Sequence, residues 1–241
     1  MRNFLTAKTK IVDYPFRWLR AIYYVYLFGR TFPFKGQIEK TVHQWEMQQM
    51  KGDVPKAREE WDTQFRNRQW VYMEHLDEFS RYAVIAGYIA YLKPWRAVLD
   101  VGCGEGVLFE RYRPYGYTRY VGIDISQVAI AKLMPQQNTQ TAFLQIDAEA
   151  YQPEEVFDAI VFNEVHYYFH DPLNTIARYC QALNVGGVLI LSTYTASRRA
   201  LAILRYLKAH YVVVDETMIT QGAKSWFCTI LKPSSAPAST I

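Results

Sequence analysis

Along residues 1–92, apolar and aromatic side chains recur every three or four positions, the period of helices with one buried face. The pattern predicts helices over Phe16–Phe28, Ile38–Met50 and Phe79–Leu92, and on the last Phe79, Tyr82, Ala83, Ala86 and Ile89 share a face. Gly52-Asp53-Val54-Pro55 breaks the helical pattern. Trp45, Trp61 and Trp70 read as anchors of helix packing, with Trp70 nearest the mouth of a site built by the rest of the chain. After Pro94 the period shortens to β-branched runs alternating with helical ones. Strands are predicted at 97–101, 120–124, 141–146, 156–162, 188–192, 211–215 and 225–231. Helices are predicted from the first glycine turn to about 113, from the Ser126 cap to 134, from Asp171-Pro172 to 183, and over 196–210. Gly186-Gly187 reads as a turn. Such alternation calls for an α/β fold, a parallel sheet covered on both faces.

Composition narrows the class. Half of the 241 residues are hydrophobic and 21% are charged, enough for a packed core. Cys103, Cys180 and Cys228 are odd in number and widely spaced, which points to a reducing, cytoplasmic setting rather than a disulfide framework. Residues 1–35 carry a local balance of +6 in a chain of net +4, so the remainder is −2. The longest apolar run there, Trp18–Phe28, is interrupted by Arg20 and is too short to cross a bilayer, which takes about 20 residues. It also lacks the cleavage site of a signal peptide. Arg17, Arg20 and Arg30 around aromatic residues leave two readings open, an aromatic face docked on the chain's own domain or peripheral contact with an anionic membrane. Pro233 onward, rich in Ser, Ala and Pro, reads as a disordered tail.

The most informative stretch is Val98-Leu-Asp-Val-Gly-Cys-Gly-Glu-Gly106. Gly102 and Gly104 allow a tight turn and let a ligand lie against the backbone. A dinucleotide fold would place its third glycine at 107, where this chain has Val. Asp100 at the strand end also suits a cationic ligand better than a phosphate. Asp124 ends the second strand, where a carboxylate can accept both hydroxyls of a ribose.

Leu99-Asp-Val-Gly-Cys-Gly-Glu-Gly106 resembles the first motif of class I S-adenosylmethionine-dependent methyltransferases. The resemblance continues in order through Tyr120–Ser126, Leu144–Ala148, Phe157–Asn163 and Leu183–Ile190, spanning about 97–231. It implies a doubly wound, seven-stranded, mostly parallel sheet of order 3-2-1-4-5-7-6 with strand seven antiparallel, behind an N-terminal helical extension. The domains expected are a helical extension or lid over 1–77, an S-adenosylmethionine-binding domain over 78–232, and the tail. The implied cofactor, S-adenosyl-L-methionine, would lie at the carboxyl ends of the strands. Ile125 would pack on adenine and Ala148 N–H would meet a ring nitrogen. Asp147 either accepts the adenine amine or caps a local turn. Asp100 and Asn163 would bracket the methionine end. Arg81 either pairs with the methionine carboxylate or lies on the surface.

Methyl transfer needs alignment, exclusion of water and, for some acceptors, a base. His166 is the preferred base by its ordinary pKa. Relatives have an aliphatic residue there, and a packed structural histidine is the alternative. Glu164 is the second candidate, able to hold an amine acceptor. Tyr167 and Tyr168 shape the pocket or belong to the core, and His170 reads as a helix-start residue. Asn163-Glu-Val-His lacks the Pro-Pro-aromatic signature of base amino-methylation, and no Pro-Cys dipeptide supplies a cytosine-attacking thiol. No metal-ligand cluster is apparent. The expectation is a metal-independent N- or O-methyltransferase acting on a small metabolite or sugar-bearing intermediate, without a nucleic-acid partner. The alternatives are a non-catalytic partner- or membrane-binding module on the same fold, and a nicotinamide-dependent oxidoreductase, which the glycine spacing disfavours.

Overall fold

The structure, a computed structural model, describes residues 57–92 and 96–233. The predicted helices at 16–28 and 38–50, the break at 52–55, Trp45, the basic leader with its membrane reading, and the tail beyond Pro233 lie outside the described residues. The chain divides into units Met1–Gln49 and Met50–Ile241. The described residues all belong to the second.

That unit opens with α1 (Arg58–Arg66), a 3-10 turn (Val71–Glu74) and α2 (Leu76–Leu92). There follow β1 (Ala97–Val101), α3 (Val107–Tyr112), β2 (Arg119–Asp124), α4 (Gln127–Leu133), β3 (Thr141–Gln145) and β4 (Phe157–Asn163). A 3-10 turn (His166–Tyr168) leads to α5 (Pro172–Cys180), β5 (Leu183–Tyr194), α6 (Arg198–His210), β6 (Tyr211–Gln221) and β7 (Lys224–Pro233). The sheet order is β3-β2-β1-β4-β5-β7-β6. Strands β1 to β5 pair in parallel and β7 runs antiparallel to both β5 and β6. This is the order the resemblance implies.

The central strands are apolar throughout because both faces are covered. Successive residues serve opposite faces. Val98 packs with Ile85, Ile89 and Tyr112 under α2 and α3, whereas Leu99 packs with Ile160, Phe162 and Ile203 under α5 and α6. On α2 the buried stripe is Tyr82, Ile85, Ala86 and Ile89, while Phe79 lies at the exposed edge under the Arg111 guanidinium. Among the described residues no helix is long and apolar enough to cross a membrane.

Three strands differ from their sequence outlines. Gly186-Gly187 does not precede β5. It lies inside it, where the register against β4 shifts between Phe157 and Ala159. Strand β6 continues past Asp215 to Gln221, with a second irregularity at Val214. Pro233 belongs to β7, opposite Tyr211, rather than to the tail. Helix α5 stops at Cys180, short of 183, because Leu183 is drawn into register with Phe157.

Candidate active site

The carboxyl ends of β1, β2 and β4 open into a cavity of about 400 Å³. Its adenosine-sized end is shaped by the turn after β1. Gly102 has φ +72°, and a Cβ there would sit 2.5 Å from Val165 Cγ2. Gly104 has φ +54° and faces the ring of Phe65 from α1. Only glycine takes both conformations without strain, which keeps the turn flat against the cavity. Asp124 Oδ2 accepts the Gly104 N–H at 2.9 Å, and its Oδ1 accepts the Ser126 N–H at 2.8 Å. Burial pushes the Asp124 carboxyl up to about 6 against the pull of these two amides. Each oxygen keeps a lone pair for a further donor. Ile125, Asp147 and Ala148 also line this end. Asp147 is exposed and its Oδ1 accepts the Glu149 N–H at 2.8 Å, so part of its carboxylate braces a turn, not a helix.

The other end is deeper. Asp100 is 1% exposed and Tyr120 Oη donates to its Oδ2 at 2.7 Å, while Oδ1 is buried with no partner. Burial raises its carboxyl to about 7, with Tyr120 opposing and Asp124 adding to the rise. Arg81 is not a surface residue: it is 1% exposed, donates to Asn163 Oδ1 and to Glu78 Oε2 at 2.8 Å, and packs over Trp226. Its Nε is buried without an acceptor. Glu164 has φ +60°, a region that only Arg68 shares among the described non-glycine residues. Such strain concentrates at functional sites. Its Oε1 accepts from Ser192 Oγ at 2.8 Å and its Oε2 from Tyr167 Oη at 2.9 Å. Burial lifts its carboxyl to about 7, with Arg81 opposing.

His166 is a correction. It is fully buried and absent from the cavity lining, with its ring edge-on to Tyr167. Burial lowers its pKa to about 3; the backbone at Ala200 opposes this and Arg199 adds to it. The 3-10 turn that places Tyr167 and Tyr168 at the cavity rotates His166 into the core, so the ring is a neutral packing group. Of the other expected residues, Arg81, Asp100, Gly102, Gly104, Asp124, Ile125, Asp147, Ala148, Asn163 and Glu164 all line the one cavity.

Several lining residues carry no motif of their own. Glu149 accepts the His170 and Asp171 N–H groups at 2.8 and 2.9 Å and His170 Nδ1 at 2.8 Å, binding the turn after β3 to the start of α5. Burial raises its carboxyl, but these donors outweigh it and hold the group below the ordinary range. Outside the lining, Asp62 on α1 accepts Ser126 Oγ at 2.6 Å and Val128 N–H at 3.2 Å, fastening α1 to the N-terminus of α4. Trp61, Trp70 and Tyr72 face the cavity, beyond the packing role expected of the tryptophans. Lys224 and Trp226 reach it from the far end of the chain. In the sequence only the aromatic content of residues 36–75 hints at a pocket closed over a small molecule, and nothing points to Lys224 or Trp226. Among the described residues no group of three or more His, Cys, Asp or Glu side chains has metal-holding geometry.

The family model described as a methyltransferase domain matches residues 65–221. A tRNA U34 carboxymethyltransferase from Shewanella frigidimarina is 31% identical over 166 residues, covering 66% of this chain and 46% of that protein. A ubiquinone biosynthesis O-methyltransferase from Pseudomonas putida is 31% identical over 144 residues, covering 58% of this chain and 60% of that protein. The chain thus spans about half the length of these curated relatives. Among solved structures, N-methyltransferase NodS from Bradyrhizobium japonicum WM9, in complex with S-adenosyl-L-homocysteine, superposes with a TM-score of 0.57 at 18% identity, covering 80% of this chain and 99% of that one. Burkholderia thailandensis 1,6-didemethyltoxoflavin-N1-methyltransferase, with 1,6-didemethyltoxoflavin and S-adenosylhomocysteine bound, gives 0.56 at 17% identity, covering 76% and 93%. At such identity these two speak for the fold alone. With the family match running from the end of α1 through β6 and the sheet ordered β3-β2-β1-β4-β5-β7-β6, the chain belongs to the class I S-adenosylmethionine-dependent methyltransferases.

Proposed function

We propose that this methyltransferase acts without a metal on an amine or hydroxyl of a small metabolite or sugar-bearing intermediate, in the cytoplasm. The observation that carries the reading is the buried, unpartnered Asp100 Oδ1 in the same cavity as the glycine turn and the paired Asp124 carboxylate. An orphaned buried acceptor costs stability unless a ligand donor meets it, and the α-ammonium of a methionine moiety is such a donor. Asp124 would hold the ribose hydroxyls, Ile125 the adenine face, and Asp147 with Ala148 N–H the adenine edge. Arg81 Nε would meet the methionine carboxylate, with Asn163 fixing the guanidinium. S-adenosylmethionine, when bound, supplies a methyl group already activated by positively charged sulfur.

The protein's share of the chemistry is then alignment and proton handling. Phe65 and Trp61 on α1 cover the crevice and exclude water. Glu164, beside Asn163, is the group placed to hold the acceptor and take its proton. The lining favours a small, non-anionic acceptor over a nucleic acid, since eight carboxylate side chains face two cationic ones, Arg81 and Lys224. A polyphosphate backbone is repelled by such a surface. Calorimetric titration with S-adenosylhomocysteine tests the reading: the wild-type chain binds, and Asp124→Ala loses about tenfold or more in affinity, in line with a charge-assisted bond pair. An Asp124→Ala variant that binds as tightly as wild type would refute the assignment.

A further inference from the structure

We infer that the acceptor atom is an amine nitrogen, drawn in as an ammonium group by a chamber walled by aromatic rings and closed by the Glu164 carboxylate. The inference rests on the proposed methyltransferase reading and narrows its acceptor from amine or hydroxyl to amine.

The chamber is a closed circuit of contacts that begins and ends at neighbouring residues. From Glu164 it passes by hydrogen bond to Tyr167, then to Tyr168 at 4.6 Å between ring centroids and to Trp61 at 4.9 Å, edge-on. Trp61 lies 5.6 Å from Trp70, and Trp70 lies 6.0 Å from Tyr72. The return side is charged. Lys224 Nζ sits 5.1 Å over the Tyr72 ring and 2.8 Å from Glu78 Oε1. Glu78 Oε2 receives Arg81 at 2.8 Å, and Arg81 donates to Asn163, next to Glu164 in the chain. Both cations of the circuit are thus held by one buried carboxylate, Glu78, which leaves Glu164 as the second carboxylate of the wall, while of the other lining acids Glu105 pairs with Lys132 and Glu149 with His170.

Aromatic faces carry negative potential, and rings placed around a desolvated ammonium stabilise it. The Glu164 carboxylate deepens the well. An anionic acceptor is repelled by the same surface, and a hydroxyl gains nothing from it. Glu164 handles the proton. Its carboxylate takes H⁺ from R–NH₃⁺, giving a neutral carboxyl and R–NH₂ with a free lone pair. The N–C bond then forms as the donor's S–C bond breaks, the S–C electron pair stays on sulfur, and the positive charge passes to R–NH₂⁺–CH₃. With its carboxyl raised towards 7 by burial, Glu164 accepts that proton near neutral pH.

The test uses the full chain saturated with S-adenosylhomocysteine and two isosteric probes, choline and 3,3-dimethyl-1-butanol, which differ in charge at one atom. Calorimetry and tryptophan fluorescence should show choline binding at least about tenfold tighter. The preference should shrink to about threefold or less in Glu164→Gln and in Trp70→Leu, with S-adenosylhomocysteine binding retained as the check on folding. Equal affinity for the two probes, or no choline binding by protein that binds S-adenosylhomocysteine, overturns the amine inference alone. Failure to bind S-adenosylhomocysteine overturns the methyltransferase reading beneath it.

Discussion

His166 and Glu164 sit two residues apart, yet one is a core residue and the other lines the cavity. Ordinary pKa values favour the histidine as a base, but they presume solvent. Burial holds its ring neutral down to about pH 3. His166→Leu should therefore keep turnover within about twofold of wild type, because the ring touches no reacting atom. A group whose folded pKa is depressed lowers stability wherever the unfolded chain still binds its proton, here from about 3 up to its ordinary value. The variant should accordingly gain in melting temperature relative to wild type as pH falls from 7 to 5. A hundredfold loss of turnover would restore the histidine as base. Residues whose role follows from backbone position, such as Gly102, Gly104, Asp100 and Asp124, were legible because a strand end and a glycine turn fix where they point. The direction of His166 depends on a 3-10 turn that no spacing announces.

The element that most changes the picture is α1. Its sequence is charged, with Glu59, Glu60, Asp62 and Arg66, and falls within the segment 1–77 expected as an extension or lid. Asp62 turns it into a roof. Burial raises that carboxyl, but the bonds from Ser126 and Val128, with Arg58 and Arg66 nearby, together outweigh it and hold it below the ordinary range, so the tie is ionised at neutral pH. Asp62→Ala should weaken S-adenosylhomocysteine binding by about five- to thirtyfold, the equivalent of about 1–2 kcal/mol for bonds to a charged group. The far-ultraviolet circular dichroism should be unchanged. An unaltered dissociation constant would make the tie ornamental. Strand cores and the Ser126 and Asp171 caps follow from local pattern, and both caps accept the expected N–H. The full lengths of β5 and β6 do not follow, since Gly186-Gly187 and the Val214 irregularity interrupt the alternation that marks a strand. The chamber walls were least legible, because they come from α1, α2, the turn after β4 and β7, which meet only in three dimensions.

At the scale of the whole molecule, three carboxyls of the cavity share one sign of shift. Asp100, Asp124 and Glu164 are raised to about 7, 6 and 7. A raised folded pKa gives stability that is full below the unfolded value and lost as pH climbs through the folded one. The ligand-free protein should lose stability from these groups between about pH 4 and 7, while His166 acts in the opposite sense over the acid part of that range. A bound sulfonium and α-ammonium favour the ionised carboxylates. S-adenosylmethionine binding at pH 6.5 should therefore release protons, read as a dependence of calorimetric enthalpy on buffer ionisation heat. Proton uptake, or none, would mean that these groups do not face the cationic part of the ligand.

Strand β7 lies between β5 and β6, although it comes after both in the chain. Its insertion is thus the step that turns five parallel strands and a loose partner into one continuous sheet, and it delivers Lys224 and Trp226 to the chamber in the same motion. During synthesis β7 emerges last, so Lys224 and Trp226 are the final pieces of the compartment's wall to appear. A chain stopping short of Lys224 lacks the strand that joins β5 to β6 and leaves the edge of β5 open to pairing with other strands.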